Sequence, residues 1–125
     1  MSGFLLDSNV VVWLDQNPAR IPVGVRAQLA SEPDVWLSAV SAWELGIKQT
    51  QGSLKLNQPV SALLEALQLR ELPVTIRHGE AVQTLPLIHR DPFDRILVAQ
   101  AMVEGLTLVT SDRKLAEYGV PVLLV

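Results

Sequence analysis

Phe4-Leu5-Leu6-Asp7-Ser8-Asn9-Val10-Val11-Val12-Trp13-Leu14 begins with three apolar residues, turns through three polar ones and resumes as an apolar segment. The first run reads as a buried strand and Val10 to Leu14 as part of a helix, so Asp7 falls at the carboxyl end of the strand. Leu106-Thr107-Leu108-Val109-Thr110-Ser111-Asp112 repeats the arrangement near the other end of the chain, with a strand running into an aspartate. Between and beyond these lie candidate strands at Val35-Trp36-Leu37, at Pro73-Val74-Thr75-Ile76 and from Val120 to Val125.

Helical patterns fill the intervals. One surrounds Val25 and Leu29 and ends before Pro33; one runs from Ser41 to Gln51 and stops at Gly52. Asn57 and Pro59 open another, with Val60, Leu63, Leu64 and Leu67 at helical spacing. A short helix fits His78 to Leu85, with His78 at its start. Asp91-Pro92 begins a helix through Glu104, ended by Gly105, whose middle is apolar on all sides and so expected to be buried. Lys114 to Tyr118 forms a last short helix. Continuous apolar strands alternating with helices imply an α/β fold, a parallel β-sheet sandwiched between helices. In such sheets the ligand site lies beyond the carboxyl ends of the strands.

The 125 residues fit one domain spanning 1–125, and 49% hydrophobic against 18% charged residues excludes a disordered chain. No cysteine is present, which excludes disulfides, thiolate zinc sites and cysteine nucleophiles. With only His78 and His89, a bound metal is expected to be a hard cation held by oxygen. The net charge of −3 supplies no global basic field, so any nucleic-acid contact must be local. The first residues lack a basic signal-peptide start, and the longest apolar stretch, Ile96 to Val103, is far shorter than the roughly 20 residues of a membrane span. A cytoplasmic protein without membrane contact is expected.

Four acids are placed towards one edge of the sheet: Asp7 and Asp112 after strands, Glu44 and Asp94 in first helical turns. Each has a plainer reading. Asp7 and Asp112 suit N-caps, Ser41 with Glu44 suits a capping box, Asp91 with Asp94 resembles one less closely, and Glu44 with Lys48 suits a helical ion pair. Capping requires no common edge, however, whereas the α/β order sends all four acids to one crevice. Two carboxylates about 4 Å apart repel by roughly 4 kcal/mol at an effective dielectric near 20, so such a cluster must take up protons or bind a cation. Mg²⁺ or Mn²⁺, one or two ions, is the expected counterion. Hydrolysis of a phosphate ester by metal-activated water is the expected chemistry.

Leu-Leu-Asp-Ser-Asn at the start, Ser-Ala-Trp-Glu-Leu-Gly-Ile-Lys around Glu44, His-Arg-Asp-Pro-Phe-Asp-Arg-Ile-Leu-Val-Ala-Gln-Ala from His89 to Ala101, and Leu-Val-Thr-Ser-Asp near the end together resemble the PIN-domain nucleases. More narrowly, the chain is similar to the VapC-type toxins of toxin–antitoxin pairs, in order along essentially its whole length. The resemblance implies a metal-dependent endoribonuclease leaving a 5′-phosphate and a 3′-hydroxyl. It places metal-binding and catalytic carboxylates at Asp7, Glu44, Asp94 and Asp112, with Asn9 and Thr110 in support. Ser8 stands where threonine is frequent in the family.

Lys48, Arg90, Arg95, Arg113 and Lys114 lie close in sequence to these acids and are candidate RNA-backbone contacts; the plainer reading is a solvated face or helical ion pairs. His89 is expected to be a structural imidazole, or else an aid to substrate binding. Trp13 and Trp43 are expected in the core, or else in a homodimer contact or a groove for a small antitoxin, whose arginine could pair with the carboxylates. The rival reading is a non-catalytic α/β signalling or antitoxin-binding module. A receiver domain fits poorly, since Asp7 is unpaired and Arg77 follows Ile76. A haloacid-dehalogenase-like phosphatase needs an aspartate where Asn9 stands.

Overall fold

The computed structural model describes residues 3–125. One five-stranded sheet forms its centre, with β1 (Phe4–Leu6), β2 (Val35–Ser38), β3 (Arg70–Leu72), β4 (Thr107–Thr110) and β5 (Val122–Leu124) in the order β3-β2-β1-β4-β5. All four pairings are parallel. The α/β architecture expected from the apolar runs is therefore observed.

Alternation along each strand explains how the sheet is covered on both faces. Leu5 and Leu108 pack into one cluster with Leu97, Val98, Leu115 and Tyr118. Leu6, Leu37 and Val109 point into the other, with Val10, Val11, Ile21 and Leu63. The helices follow: α1 (Ser8–Gln16), α2 (Val23–Ser31), α3 (Ala39–Thr50), α4 (Val60–Ala66), α5 (Ile76–Val82) and α6 (Pro92–Glu104). Short 3₁₀ segments occupy Pro18–Arg20 and Arg113–Tyr118. Each fully buried leucine, such as Leu5, Leu6, Leu97 and Leu108, contributes roughly 1.5–3 kcal/mol. The strands are short, so this burial and not their length fixes the register.

Helix α6 follows its sequence signals closely. Asp91 caps it, accepting hydrogen bonds from the backbone N–H groups of Phe93 (2.8 Å) and Asp94 (3.4 Å), and Pro92 occupies the first turn. Gly105 ends it with φ 69°, a left-handed conformation that suits glycine. Leu97 to Ala101 are buried, as the all-round apolar pattern requires.

Two expected elements are displaced. Pro73-Val74-Thr75-Ile76 is not a strand: β3 lies just before it, and Thr75 instead caps α5, its hydroxyl accepting the His78 N–H at 3.4 Å. Helix α3 begins earlier than Ser41, because Ser38 caps it by accepting the Val40 N–H at 3.1 Å. Ser41 is consequently buried one turn in and forms no capping box with Glu44. Trp43 is no core residue; it is 65% exposed and rests edge-on against Phe93, with ring centroids 5.1 Å apart. Trp13 is half-buried beneath the Arg20 guanidinium, 4.1 Å from the ring centroid.

Candidate active site

The sheet order puts β1 and β4 side by side at its centre, with helices leaving their carboxyl ends. Asp7 follows β1 directly, and its N–H donates to the Val109 carbonyl at 2.9 Å. Asp7 is the N-cap residue of α1, yet its side chain makes no capping bond. The carboxylate instead accepts a 2.7 Å hydrogen bond from the Thr110 hydroxyl at the end of β4. That hydroxyl in turn accepts the Asp112 N–H at 3.1 Å. The capping reading is therefore excluded for Asp7.

Glu44 reaches the same edge from the second turn of α3, not the first. Its Oε1 accepts a 2.6 Å hydrogen bond from the buried Ser8 hydroxyl, and its Oε2 lies 3.5 Å from Lys48 Nζ. The expected helical pair is thus present, and the same carboxylate also meets Ser8. Asp94, in the first turn of α6, has only 15% of its side chain exposed.

His89 joins Asp94 to Asp112. Its Nε2 lies 3.3 Å from Asp94 Oδ2 and 3.0 Å from Asp112 Oδ2. Atoms of these three residues lie within 4.8 Å of one another, close enough to hold a cation. Asp112 also caps the 3₁₀ segment through Oδ1, which accepts the Lys114 N–H at 3.0 Å. The expected cap is thus present on one oxygen, while the other, Oδ2, faces His89. His89, expected as a structural imidazole, thus stands among the site acids, a placement the sequence does not show because Asp112, its partner, lies 23 positions away.

Electrostatics bind the remaining pairs together. Burial pushes the Asp94 carboxyl up to about 7, and the nearby charges of Asp7, Asp91 and Glu44 push the same way, while His89 opposes them. Burial also raises Asp7 above the usual carboxylate range; the Thr110 hydrogen bond opposes the rise and Glu44 adds to it. A set of crowded carboxylates whose repulsion is only partly offset by Lys48 and by hydrogen bonds is the donor chemistry that hard divalent cations prefer. The residues present fit such an ion.

The supporting and basic residues divide. Ser8 and Thr110 bond the site acids, whereas Asn9 is exposed on the first turn of α1, with no site contact among the described hydrogen bonds. Arg90, Arg113 and Lys114 are exposed, and Lys48 is paired with Glu44. Arg95, expected as an RNA contact, instead has its guanidinium engaged by groups of the fold. It donates to Pro86 O (2.9 Å), Val82 O (3.2 Å) and Tyr118 Oη (3.3 Å).

Comparison with known proteins agrees with this geometry. Ribonuclease VapC22 of Mycobacterium tuberculosis is 30% identical over 124 residues, covering 97% of this chain and 95% of the relative. Among solved structures, the DNA-bound VapBC from Salmonella typhimurium superposes with TM-score 0.73 at 19% identity, over 98% of each chain. VapBC2 from Rickettsia felis, bound to a fragment of its promoter, gives TM-score 0.72 at 14% identity, again over 98% of each chain. These structural likenesses establish a shared fold. A signalling module is not favoured, because the PIN domain model matches residues 4–121. With that match spanning nearly every element around the four acids, the chain belongs to the PIN domain family.

Proposed function

We propose that the chain is a Mg²⁺- or Mn²⁺-dependent endoribonuclease and the toxin of a toxin–antitoxin pair. The observation that carries this reading is the convergence of Asp7, Glu44, Asp94 and Asp112, from four separate segments, on the carboxyl edge of β1 and β4. No structural need of the sheet demands four acids there. A bound divalent ion supplies Lewis acidity towards a phosphodiester and lowers the pKa of its water.

The chain's own residues supply the rest. The four carboxylates hold one or two ions; Ser8 orients Glu44, and Thr110 orients Asp7. Arg90, Arg113 and Lys114 offer exposed positive charge to an RNA backbone approaching an otherwise acidic edge. Kinship with a VapC ribonuclease supports RNA as substrate, and the VapBC complexes among the structural neighbours support a small antitoxin as partner. Self-association as a homodimer and a cytoplasmic location complete the reading. No helix among the described residues is long and apolar enough to cross a membrane.

The test is cleavage of single-stranded RNA by the purified chain with Mg²⁺ or Mn²⁺, with EDTA, and with Asp7→Asn as control. Cleavage only with cation and only by the unaltered chain is expected; undiminished cleavage in EDTA overturns the metal mechanism. Overproduction is expected to arrest growth, and a co-produced antitoxin to restore it.

A further inference from the structure

His89 sits between two of the four acids, and what its ring can do there is decided by its far nitrogen. Nδ1 accepts the Asp91 backbone N–H at 3.1 Å. A nitrogen that accepts carries no proton, so the one proton of the neutral ring is on Nε2. Nε2 is the atom 3.0 Å from Asp112 Oδ2 and 3.3 Å from Asp94 Oδ2. A histidine that ligates a cation has the reverse arrangement, with the ligating nitrogen bare and the other donating its N–H to a carbonyl or carboxylate.

We propose that His89 is a positioning residue and not a cation ligand: its Nε2–H, which donates to Asp112 and lies 3.3 Å from Asp94, holds those two carboxylates at the spacing a cation meets. This rests on the four-acid reading above. The ring is oriented by one backbone N–H, and the backbone that carries it is anchored in turn. The N–H that orients it belongs to Asp91, whose side chain caps the helix carrying Asp94. The His89 backbone N–H donates to Tyr118 Oη at 2.8 Å, and Arg95 donates to the same hydroxyl at 3.3 Å. Tyr118 is buried, so the anchor does not depend on a mobile surface group. Arg95 and Tyr118 thereby act on the site without facing it, which accounts for an arginine turned inward beside an acidic edge. Without that N–H, no donor stands between the Asp94 and Asp112 oxygens.

The test uses the whole chain with ¹⁵N-labelled histidine. Long-range ¹H–¹⁵N spectra distinguish Nε2–H from Nδ1–H rings, and His89→Gln assigns the signal. The Nε2–H form is expected both without cation and at Mg²⁺ saturation, with Mg²⁺ binding followed calorimetrically in the same samples. Transfer of the proton to Nδ1 while Mg²⁺ binds normally overturns the proposal alone; absence of Mg²⁺ binding overturns the four-acid reading and the proposal with it. His89→Gln, whose amide donates close to the place of Nε2, is expected to keep Mg²⁺ affinity within about threefold. His89→Leu is expected to lose about tenfold or more. Equal losses in the two variants would show that the donated proton does no positioning.

Discussion

Thr110 Oγ1 donates to Asp7 Oδ2 at 2.7 Å, joining residues 103 positions apart, and with its lone pair accepts the N–H of Asp112 at 3.1 Å. One hydroxyl thus orders two of the four acids across the β1–β4 pairing. A hydrogen bond to a charged group is worth about 1.5–3 kcal/mol, and here it also opposes the burial that raises Asp7. Thr110→Val keeps the shape and removes both bonds. Mg²⁺ affinity measured by calorimetry is expected to fall about tenfold or more, with folding retained by circular dichroism, while Thr110→Ser stays near the parent. Unchanged affinity in Thr110→Val would detach Thr110 from the site.

The raised carboxyls make the cation-free protein sensitive to pH in a direction opposite to that of a salt-bridged acid. Asp94 titrates at about 7 when folded, against 3.8 as its ordinary value, so between these the folded chain keeps a proton the unfolded chain has released. The stabilisation is complete below the lower value and is lost as pH rises through about 7; Asp7 is displaced the same way. In EDTA the melting temperature is expected to fall from about pH 5 to about pH 8, and Asp94→Asn to flatten that fall. Mg²⁺ at about a hundred times its Kd should restore roughly 2.7 kcal/mol at the upper end. A parent profile as flat as that of Asp94→Asn would contradict the burial and the crowding of charge that raise Asp94.

Lys48 competes with any cation for Glu44, since its ammonium lies 3.5 Å from Oε2 and is partly exposed. A partly exposed pair of this kind, open to solvent on its Lys48 side, contributes about 1 kcal/mol or less to stability. Lys48→Gln is therefore expected to leave the melting temperature within about a degree or two and to tighten Mg²⁺ binding by about two- to fivefold. Weaker binding would mean that Lys48 helps to build the cation site instead of partly filling it.

Signals that lie within a few residues of one another were legible in the sequence. Asp91-Pro92 with Gly105 bounded α6, and the apolar runs before Asp7 and Asp112 placed both acids at the carboxyl edge. Glu44 was found on the right helix but one turn too early, because Ser38 and Ser41 are equally good caps and only the extension of β2 to Ser38 decides between them. β3 was hidden for a physical reason: it is an edge strand, and of Arg70, Glu71 and Leu72 only Leu72 is buried. The β-branched run after it looks more strand-like, yet Thr75 is used as a helix cap. His89 and Tyr118 owe their roles to contacts 23 and 29 positions away, which no local pattern records.

The basic residues around the site separate into two kinds that salt dependence can distinguish. Arg95 spends its guanidinium on Pro86, Val82 and Tyr118, so Arg95→Met is expected to lower the melting temperature, with RNA affinity retaining the parent's salt slope. Arg113 and Lys114 are exposed beside Asp112, and each phosphate they neutralise releases counterions, adding about 0.7 to the slope of log K against log salt on a single strand. Measured by fluorescence anisotropy on an Asp7→Asn background that cannot cleave, replacing both by Gln should reduce the slope by about 1.4. A reduced slope in Arg95→Met, or an unchanged one in the double variant, would reverse the division between the inward arginine and the outward pair.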